Sequence, residues 1–238
     1  MKIAIMQPYL FPYIGYFQLI RAADAFGIGD DVQYIEGGWI NRNRIIVNGQ
    51  EYLFSFPVVK DYHTKPIKER FFHNNFQHQK KKLLKALEYN YTKAPFNKDT
   101  INIIKKVFDC TETNVSKFIE NHLRVVCNYL NIDTPFIRSE RWDVEDNVGK
   151  TVEQRAVKKL GQLKTQGFDH FINPIGGAEL YSKEYFKKNG FKLSYLKTIE
   201  TAYKQFGLDF IPNLSIIDVM MFNSPKEISI MLNNYELI

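Results

Sequence analysis

The sequence predicts an α/β fold built on a mainly parallel sheet with an inserted helical lobe, and three observations lead there. Lys2 to Met6 is a short β-branched apolar run stopped by Gln7-Pro8, and Phe17, Leu19, Ile20, Ala22 and Ala23 follow at helical spacing. After residue 132 short strands again alternate with helices, the pattern of a sheet covered by its own crossover connections. Between them, Lys80 to Tyr89 and Asp99 to Leu130 carry only helical periodicity. A chain of 238 residues, 45% of them hydrophobic, has enough apolar material for one sizeable core. The expectation is a single α/β unit over residues 1–238, with residues 66–132 as a helical insertion.

Taken in order, the first strand and helix are joined by a loop rich in proline and aromatics, and a second strand lies within Ala25 to Tyr34, interrupted by Gly27, Gly29 and the pair Asp30/Asp31. If the two strands are parallel, the carboxylates lie close to the end of the first loop, at the carboxyl edge where open α/β sheets bind ligands. Trp39 to Val59 reads as an antiparallel hairpin turning at Asn48-Gly49, the dipeptide that a type I′ turn demands. The helical insertion follows. Then come a strand near Phe136, a helix from Thr151, a strand from Phe168 to Ile172, a helix from Leu180 to Lys188 and a strand from Phe191 to Leu196. Thr151 with Gln154 makes a capping-box pattern, Gly167 and Gly190 suit the left-handed position beyond a helix end, and Ser224-Pro225 with Glu227 opens the last helix.

Several classes of function are excluded or disfavoured. The longest apolar stretch, Ile211 to Phe222, is broken by Asn213, Ser215 and Asp218, so no membrane span is predicted, and Gln7-Pro8 interrupts any signal-peptide core. A cytoplasmic protein without a membrane partner is expected. Cys110 and Cys127 lack metal or disulfide spacing and read as buried thiols. The histidines His63, His73, His78, His122 and His170 show no metal-hydrolase spacing, and neither a Walker loop nor a GxGxxG occurs, so neither a bound metal nor a bound cofactor is predicted. The net charge of +6 is concentrated: nine Lys and Arg between Lys60 and Lys93 face three acids, an excess equal to that of the whole chain. Lys80, Lys81 and Lys82, near Phe71, Phe72 and Phe76, are candidates for contact with a nucleic-acid backbone; the competing reading is a solvated helix face.

Three constellations are candidates for chemistry. In Gln7 to Tyr16 two prolines stiffen the loop, Gly15 permits close approach of a ligand or a neighbouring helix, and Tyr9 and Tyr16 offer stacking surfaces. Gln7 directly follows a buried strand, where a polar amide is costly unless used. On a strand, Asn41 and Asn43 share one face and Arg42 and Arg44 the other; an arginine there suits a phosphate and Asn43 a sugar hydroxyl, unless this is simply the solvent face of the hairpin. Asn173-Pro174-Ile175-Gly176-Gly177 is a second strand-to-helix loop, with Tyr181 and Lys183 just inside the helix that follows. Ser215 and Asp218 read equally as ligand contacts or as a helix cap and a first-turn acid.

At these residues the chain resembles the WbqC-like protein family: Met6-Gln7-Pro8-Tyr9-Leu10-Phe11-Pro12-Tyr13-Ile14-Gly15-Tyr16-Phe17, then Asp31-Val32-Gln33-Tyr34, Gly38-Trp39 with Asn41 to Ile45, and Ser215-Ile216-Ile217-Asp218. Further matches are His78, Tyr91 before Lys93-Ala94-Pro95-Phe96, and Asn173 with Gly176-Gly177 and Tyr181. The resemblance implies a transferase of bacterial surface-polysaccharide (O-antigen) biosynthesis, acting on a nucleotide-linked amino sugar by transfer of an aminoacyl group such as glycyl. It implies ATP or an aminoacyl-tRNA as donor, the lysine-rich face receiving the tRNA, and substrate contacts from Gln7, Tyr9, Gly15, Tyr16, Gln33, Arg42, Asn43, Tyr91, Asn173, Gly176, Gly177, Tyr181, Ser215 and Asp218. Asp31 or His78 then takes the amine proton. A more distant likeness is to the nucleotidyltransferase superfamily, which implies a Rossmann-like sheet and, as an alternative, ATP-dependent nucleotidyl transfer; the lysine-rich face offers a third reading, RNA binding without catalysis. Tyr13-Ile14-Gly15-Tyr16 stands where that superfamily has HxGH, with tyrosine at both histidine positions, and Ser215 where it has a late phosphate-binding serine.

Overall fold

The computed structural model describes residues 1–138, 149–207 and 209–238. Strand β1 (Lys2–Met6), helix α1 (Ile14–Ala22) and β2 (Ala25–Ile28) open the chain. The hairpin β3 (Arg42–Val47) and β4 (Gln50–Ser55) comes next, followed by α2 (Phe76–Asn90), α3 (Asn97–Phe108) and α4 (Val115–Tyr129). The chain then returns to the sheet through β5 (Phe136–Arg138), α5 (Val152–Leu163), β6 (His170–Pro174), α6 (Lys183–Lys188) and β7 (Lys192–Thr198), and closes with α7 (Ile216–Phe222), α8 (Pro225–Met231) and β8 (Tyr235–Leu237). The main sheet has the order β5-β2-β1-β6-β7-β8, parallel throughout except for the edge pair β7 and β8.

Burial on both faces explains the near-continuous apolar strands. Neighbours along a strand point to opposite faces, so Ile3, Ala25, Phe171 and Leu193 join one core with Leu160, Leu163 and Phe186 of α5 and α6. Ala4, Phe26, Ile172 and Leu196 join the larger core under α1, α7, α8, the hairpin and the inserted helices. Those helices hold the hairpin through an aromatic cluster in which Phe72 stacks on Phe76 at 4.2 Å, and Phe56 and Phe118 meet Phe76 edge-on at 5.1 and 4.9 Å. Phe72 and Phe76 are therefore core and offer no surface to a nucleic-acid base.

The punctuation read from the sequence folds as its chemistry dictates. Asn48 and Gly49 take φ of 52° and 76° between Val47 and Gln50, as a two-residue hairpin turn requires. Both reciprocal bonds of the Thr151/Gln154 and Ser224/Glu227 capping boxes are present. The helix expected from Leu180 begins instead at Lys183, because the Leu180 amide bonds the Gly177 carbonyl and the Ser182 hydroxyl accepts from the Tyr185 amide. Tyr181 thus precedes α6 rather than lying within it. The antiparallel edge β8 has no counterpart among the expected elements; three residues are too few to show alternation. Among the described residues no helix is long and apolar enough to cross a membrane.

Candidate functional site

From β1 the chain crosses to β2 on one side, while β6 pairs with β1 on the other. Connections that diverge in this way leave a crevice at the carboxyl ends of the two strands, the place where doubly wound sheets bind ligands. The crevice here has a volume of about 660 Å³, within the range of small-molecule sites.

One wall is the loop after β1, and its shape depends on Phe11. Phe11 has φ of 42°, a left-handed conformation that disfavours a residue with a Cβ by about 1–2 kcal/mol. Three buried side chains hold it there. Its amide donates to His122 Nε2 on α4 at 3.0 Å, and its carbonyl accepts from Asn43 Nδ2 on β3 at 2.7 Å and from the Ser215 hydroxyl at 2.8 Å. Burial pushes the His122 pKa down to about 3, so the imidazole is neutral and Nε2 is free to accept. The Pro12 carbonyl also receives the Ile216 amide of α7 at 2.9 Å. With the loop fixed, Gln7 and Tyr9 face the crevice, the Tyr9 hydroxyl donating to Gln7 Oε1 at 3.1 Å.

The opposite wall is the end of β6. Asn173 is buried there and its Nδ2 donates to the Pro174 carbonyl at 3.2 Å. A Cβ on Gly177 would lie 1.9 Å from that nitrogen. Gly177→Ala is therefore expected to displace the Asn173 amide and to destabilise the protein by about 1–3 kcal/mol, the range of an overpacked site. Urea unfolding checks this, and a change below about 0.5 kcal/mol, the scatter of ordinary surface substitutions, would mean that Asn173 moves aside without resistance.

Helix α5 closes the third side with Val152, Arg155, Ala156 and Lys159. Lys159 Nζ meets Asp31 Oδ1 and Oδ2 at 2.7 and 2.6 Å, and the two side chains are only 10% and 2% exposed. Removing either partner of so enclosed a pair strands the other charge. The side chain of Arg155, one turn earlier, makes no hydrogen bond or ion pair among the described residues. Its guanidinium is thus available to an anion, and both edges of its planar fork suit a phosphate.

The structure brings Gln7, Tyr9, Asp31, Gln33, Asn173, Gly176, Gly177 and Tyr181 around this crevice. The other candidates lie elsewhere, most of them engaged in internal bonds. Tyr16 is core, and its hydroxyl donates to the Gln7 carbonyl at 2.8 Å instead of facing a ligand. Gly15 admits no ligand: a Cβ there would meet the Tyr13 ring at 2.4 Å and Thr198 Oγ1 at 2.6 Å, so its absence lets α1 approach β7. The Asn43 amide is committed to the Leu10 and Phe11 carbonyls. Arg42 donates to the Gly37 carbonyl and Arg44 pairs with Glu51 at 2.8 Å, away from the crevice. Ser215 is fully buried on Phe11 and caps α7, so it is not a phosphate ligand.

Tyr91 and Asp218 are also buried, bonded to each other at 2.7 Å, with the Ile46 amide donating to the Tyr91 hydroxyl. Tyr203 and Gln205 complete this second network, reaching Asp218 Oδ1 at 2.6 and 3.0 Å. His78 is exposed on α2 and lines none of the described cavities. Lys80 is buried with Nζ on the Phe108 and Cys110 carbonyls at 2.7 and 2.8 Å, where it caps the end of α3 and meets no nucleic acid; Lys81 and Lys82 remain exposed.

Residues that the sequence reading passed over are Arg155 and Lys159 of α5, and His122. Their signal was available in part. Arg155 and Lys159 stand four apart behind the Thr151 cap, hence on one face of a helix that follows a strand. Nothing local marks His122, whose partner is 111 positions away.

Fold and site together define a doubly wound α/β protein with a crevice at the point where the strand order reverses. The chain belongs to the WbqC-like protein family, whose model matches residues 7–230. It is similar to the protein named "Uncharacterized protein Rv1507c" of Mycobacterium tuberculosis (strain ATCC 25618 / H37Rv), with 29% identity over 230 residues covering 95% of each chain. No solved structure matches it significantly.

Proposed function

We propose that the crevice binds a nucleotide-linked amino sugar and that the protein transfers an activated acyl group, an aminoacyl group such as glycyl, to the sugar amine in surface-polysaccharide biosynthesis. The observation that carries this reading is the pairing, in one opening, of the Arg155 guanidinium, which has no partner among the described residues, with the Asp31–Lys159 ion pair. A diphosphate answers the first; the second offers a carboxylate to the amine. Membership in the WbqC-like family supports a biosynthetic role in polysaccharide assembly.

In this reaction the amine nitrogen bonds the acyl carbonyl carbon, the carbonyl's bond to the activating oxygen breaks, and the amine proton leaves. Of the two candidate bases, Asp31 lines the crevice and His78 does not. Positioning and a nearby proton acceptor supply most of what amide formation from an activated donor needs. The donor in this reading is an aminoacyl-tRNA or an ATP-activated amino acid, with Lys81 and Lys82 left at the surface to meet a tRNA. Nucleotidyl transfer and RNA binding receive less support, since Ser215, Tyr16 and Lys80, which those readings would use, are engaged inside the protein.

A thermal-shift panel of UDP-, dTDP- and GDP-linked amino sugars tests the proposal. A ligand at a hundredfold its Kd stabilises the folded state by about 2.7 kcal/mol, which raises Tm by roughly 5–10 °C in a chain of this size. Arg155→Ala is expected to abolish that shift without lowering the unliganded Tm. A panel in which no sugar nucleotide moves the Tm rejects the proposal, whereas pyrophosphate release from ATP and Mg²⁺ alone would favour nucleotidyl transfer.

A further inference from the structure

Beside the crevice lies a second opening of about 270 Å³, lined by Tyr9, Pro12, Tyr13, Trp39, Asn43, Arg44 and Asn213. Tyr9 belongs to both openings and forms the wall between them. We propose that this aromatic pocket holds the nucleobase of a nucleotide whose phosphates lie in the crevice beyond Tyr9. The inference rests on the preceding proposal and extends it, by placing the base and naming what recognises it.

The lining suits a flat aromatic ring better than a sugar or a cation. Tyr9, Tyr13 and Trp39 supply aromatic rings to the lining, and Trp39 keeps 43% of its surface exposed. The Arg42 and Arg44 guanidiniums lie 5.5 and 5.4 Å from the centre of its ring, so the rim is already cationic and repels a positively charged guest. Bases stack readily on aromatic rings and guanidinium planes. No carboxylate lines the pocket among the described residues, which removes the usual acceptors for sugar hydroxyls.

One polar side chain remains to read the edge of a base. The Asn43 amide is committed to Leu10 and Phe11, but Asn213 makes no hydrogen bond among the described residues. It is exposed, in the left-handed conformation with φ of 55°. A side-chain amide offers a donor and an acceptor side by side, complementary to the paired groups on a base edge. The order of parts then matches a nucleotide: base on Trp39 and Asn213, linker across Tyr9, phosphates toward Arg155.

Calorimetric titration of the full chain with UDP, dTDP, GDP and inorganic pyrophosphate tests this. At least one nucleoside diphosphate is expected to bind more tightly than pyrophosphate. Trp39→Ala should weaken that binding on the order of tenfold or more, the effect of losing one base–aromatic stack, and leave pyrophosphate unaffected. Trp39→Phe should restore most of the affinity. Asn213→Gly, which keeps the backbone unstrained, should narrow the preference among bases. If Trp39→Ala and Asn213→Gly bind nucleoside diphosphates as the wild type does, or if pyrophosphate binds as tightly as they do, the aromatic pocket is not a base site and the crevice proposal stands alone. If the wild type binds no nucleoside diphosphate and no sugar nucleotide, both fall.

Discussion

Replacing Asp218 by alanine is expected to cost about 3 kcal/mol of folding stability, among the larger effects a single substitution can have in this protein. The carboxylate is fully buried at the start of α7 and pairs with no cation among the described residues; Tyr91, Tyr203 and Gln205 donate to it at 2.7, 2.6 and 3.0 Å. Those donors come from the end of α2 and from the segment after β7, so the network ties the inserted helices to the C-terminal part of the chain. Alanine takes the acceptor from the Tyr91 and Tyr203 hydroxyls, while Gln205 keeps the Ile211 carbonyl at 3.1 Å, and the desolvation recovered by removing the carboxylate offsets only part of that loss. Asp218→Asn should cost less, about 1–2 kcal/mol, because its oxygen still accepts from Tyr203 and Gln205 while its NH₂ faces the Tyr91 proton. Burial raises the Asp218 pKa, so its stabilising contribution is complete in acid and declines as pH rises through the raised value. Urea unfolding of the three proteins reads these differences. Sugar-nucleotide affinity measured on the folded variants should be unchanged; a loss confined to binding would return Asp218 to the site.

His122 is expected to produce the opposite pH dependence, and a comparably large effect. Its pKa falls from 6.5 to about 3 on burial, so the unfolded chain takes up its proton first as the solution is acidified. The stability from the neutral imidazole is complete above pH 6.5 and drains as pH falls toward 3, amounting to about 2 kcal/mol between pH 7 and pH 5. His122→Gln places a non-titrating acceptor near the same position, and should remove most of this slope while keeping the bond to the Phe11 amide. His170, whose pKa is also depressed by burial, acts with the same sign in both proteins and cancels in the difference. Unfolding curves at pH 7 and 5 that decline equally in wild type and His122→Gln would show that the imidazole does not hold the loop as a neutral acceptor. Because the imidazole of the folded protein stays neutral over this interval and keeps Phe11 and the loop carrying Gln7 and Tyr9 in place, ligand affinity of the folded protein should not change between pH 7 and 5 on account of His122.

The two networks also explain why the site was only half legible in the sequence. Gln7, Asn173 and the Gly176-Gly177 pair could be found because each follows its own apolar strand, and in a parallel sheet the loops after neighbouring strands converge. Asp31 could be found for the same reason, three residues beyond the end of β2. Ser215 and Asp218 looked like ligands as polar residues in an apolar segment, Asn43 as a polar residue on one face of a strand, and Tyr91 through the family resemblance, but each description fits a buried structural network equally well. Which of the two holds depends on partners far away in the chain: Ser215 on Phe11 across 204 positions, Tyr91 on Asp218 across 127. The lysine-rich stretch misled in a similar way. Charge counted along a sequence does not show that Lys80 turns inward to cap α3, or that the Arg70 guanidinium donates to the Val59 and Tyr62 carbonyls.

By itself, then, the sequence determined the alternation of strands and helices, the hairpin at Asn48-Gly49, the helix caps and the two loops that face each other. These depend on residues within a few positions of one another, where backbone preference and hydrophobic period act directly. Tertiary structure alone decided that β6 pairs beside β1, so that Arg155 and the Asp31–Lys159 pair share one opening, and that Tyr9 divides it from an aromatic pocket. The physical reason is that a polar group's role follows from which donor or acceptor remains unpaired after packing, and only the folded chain brings those partners together.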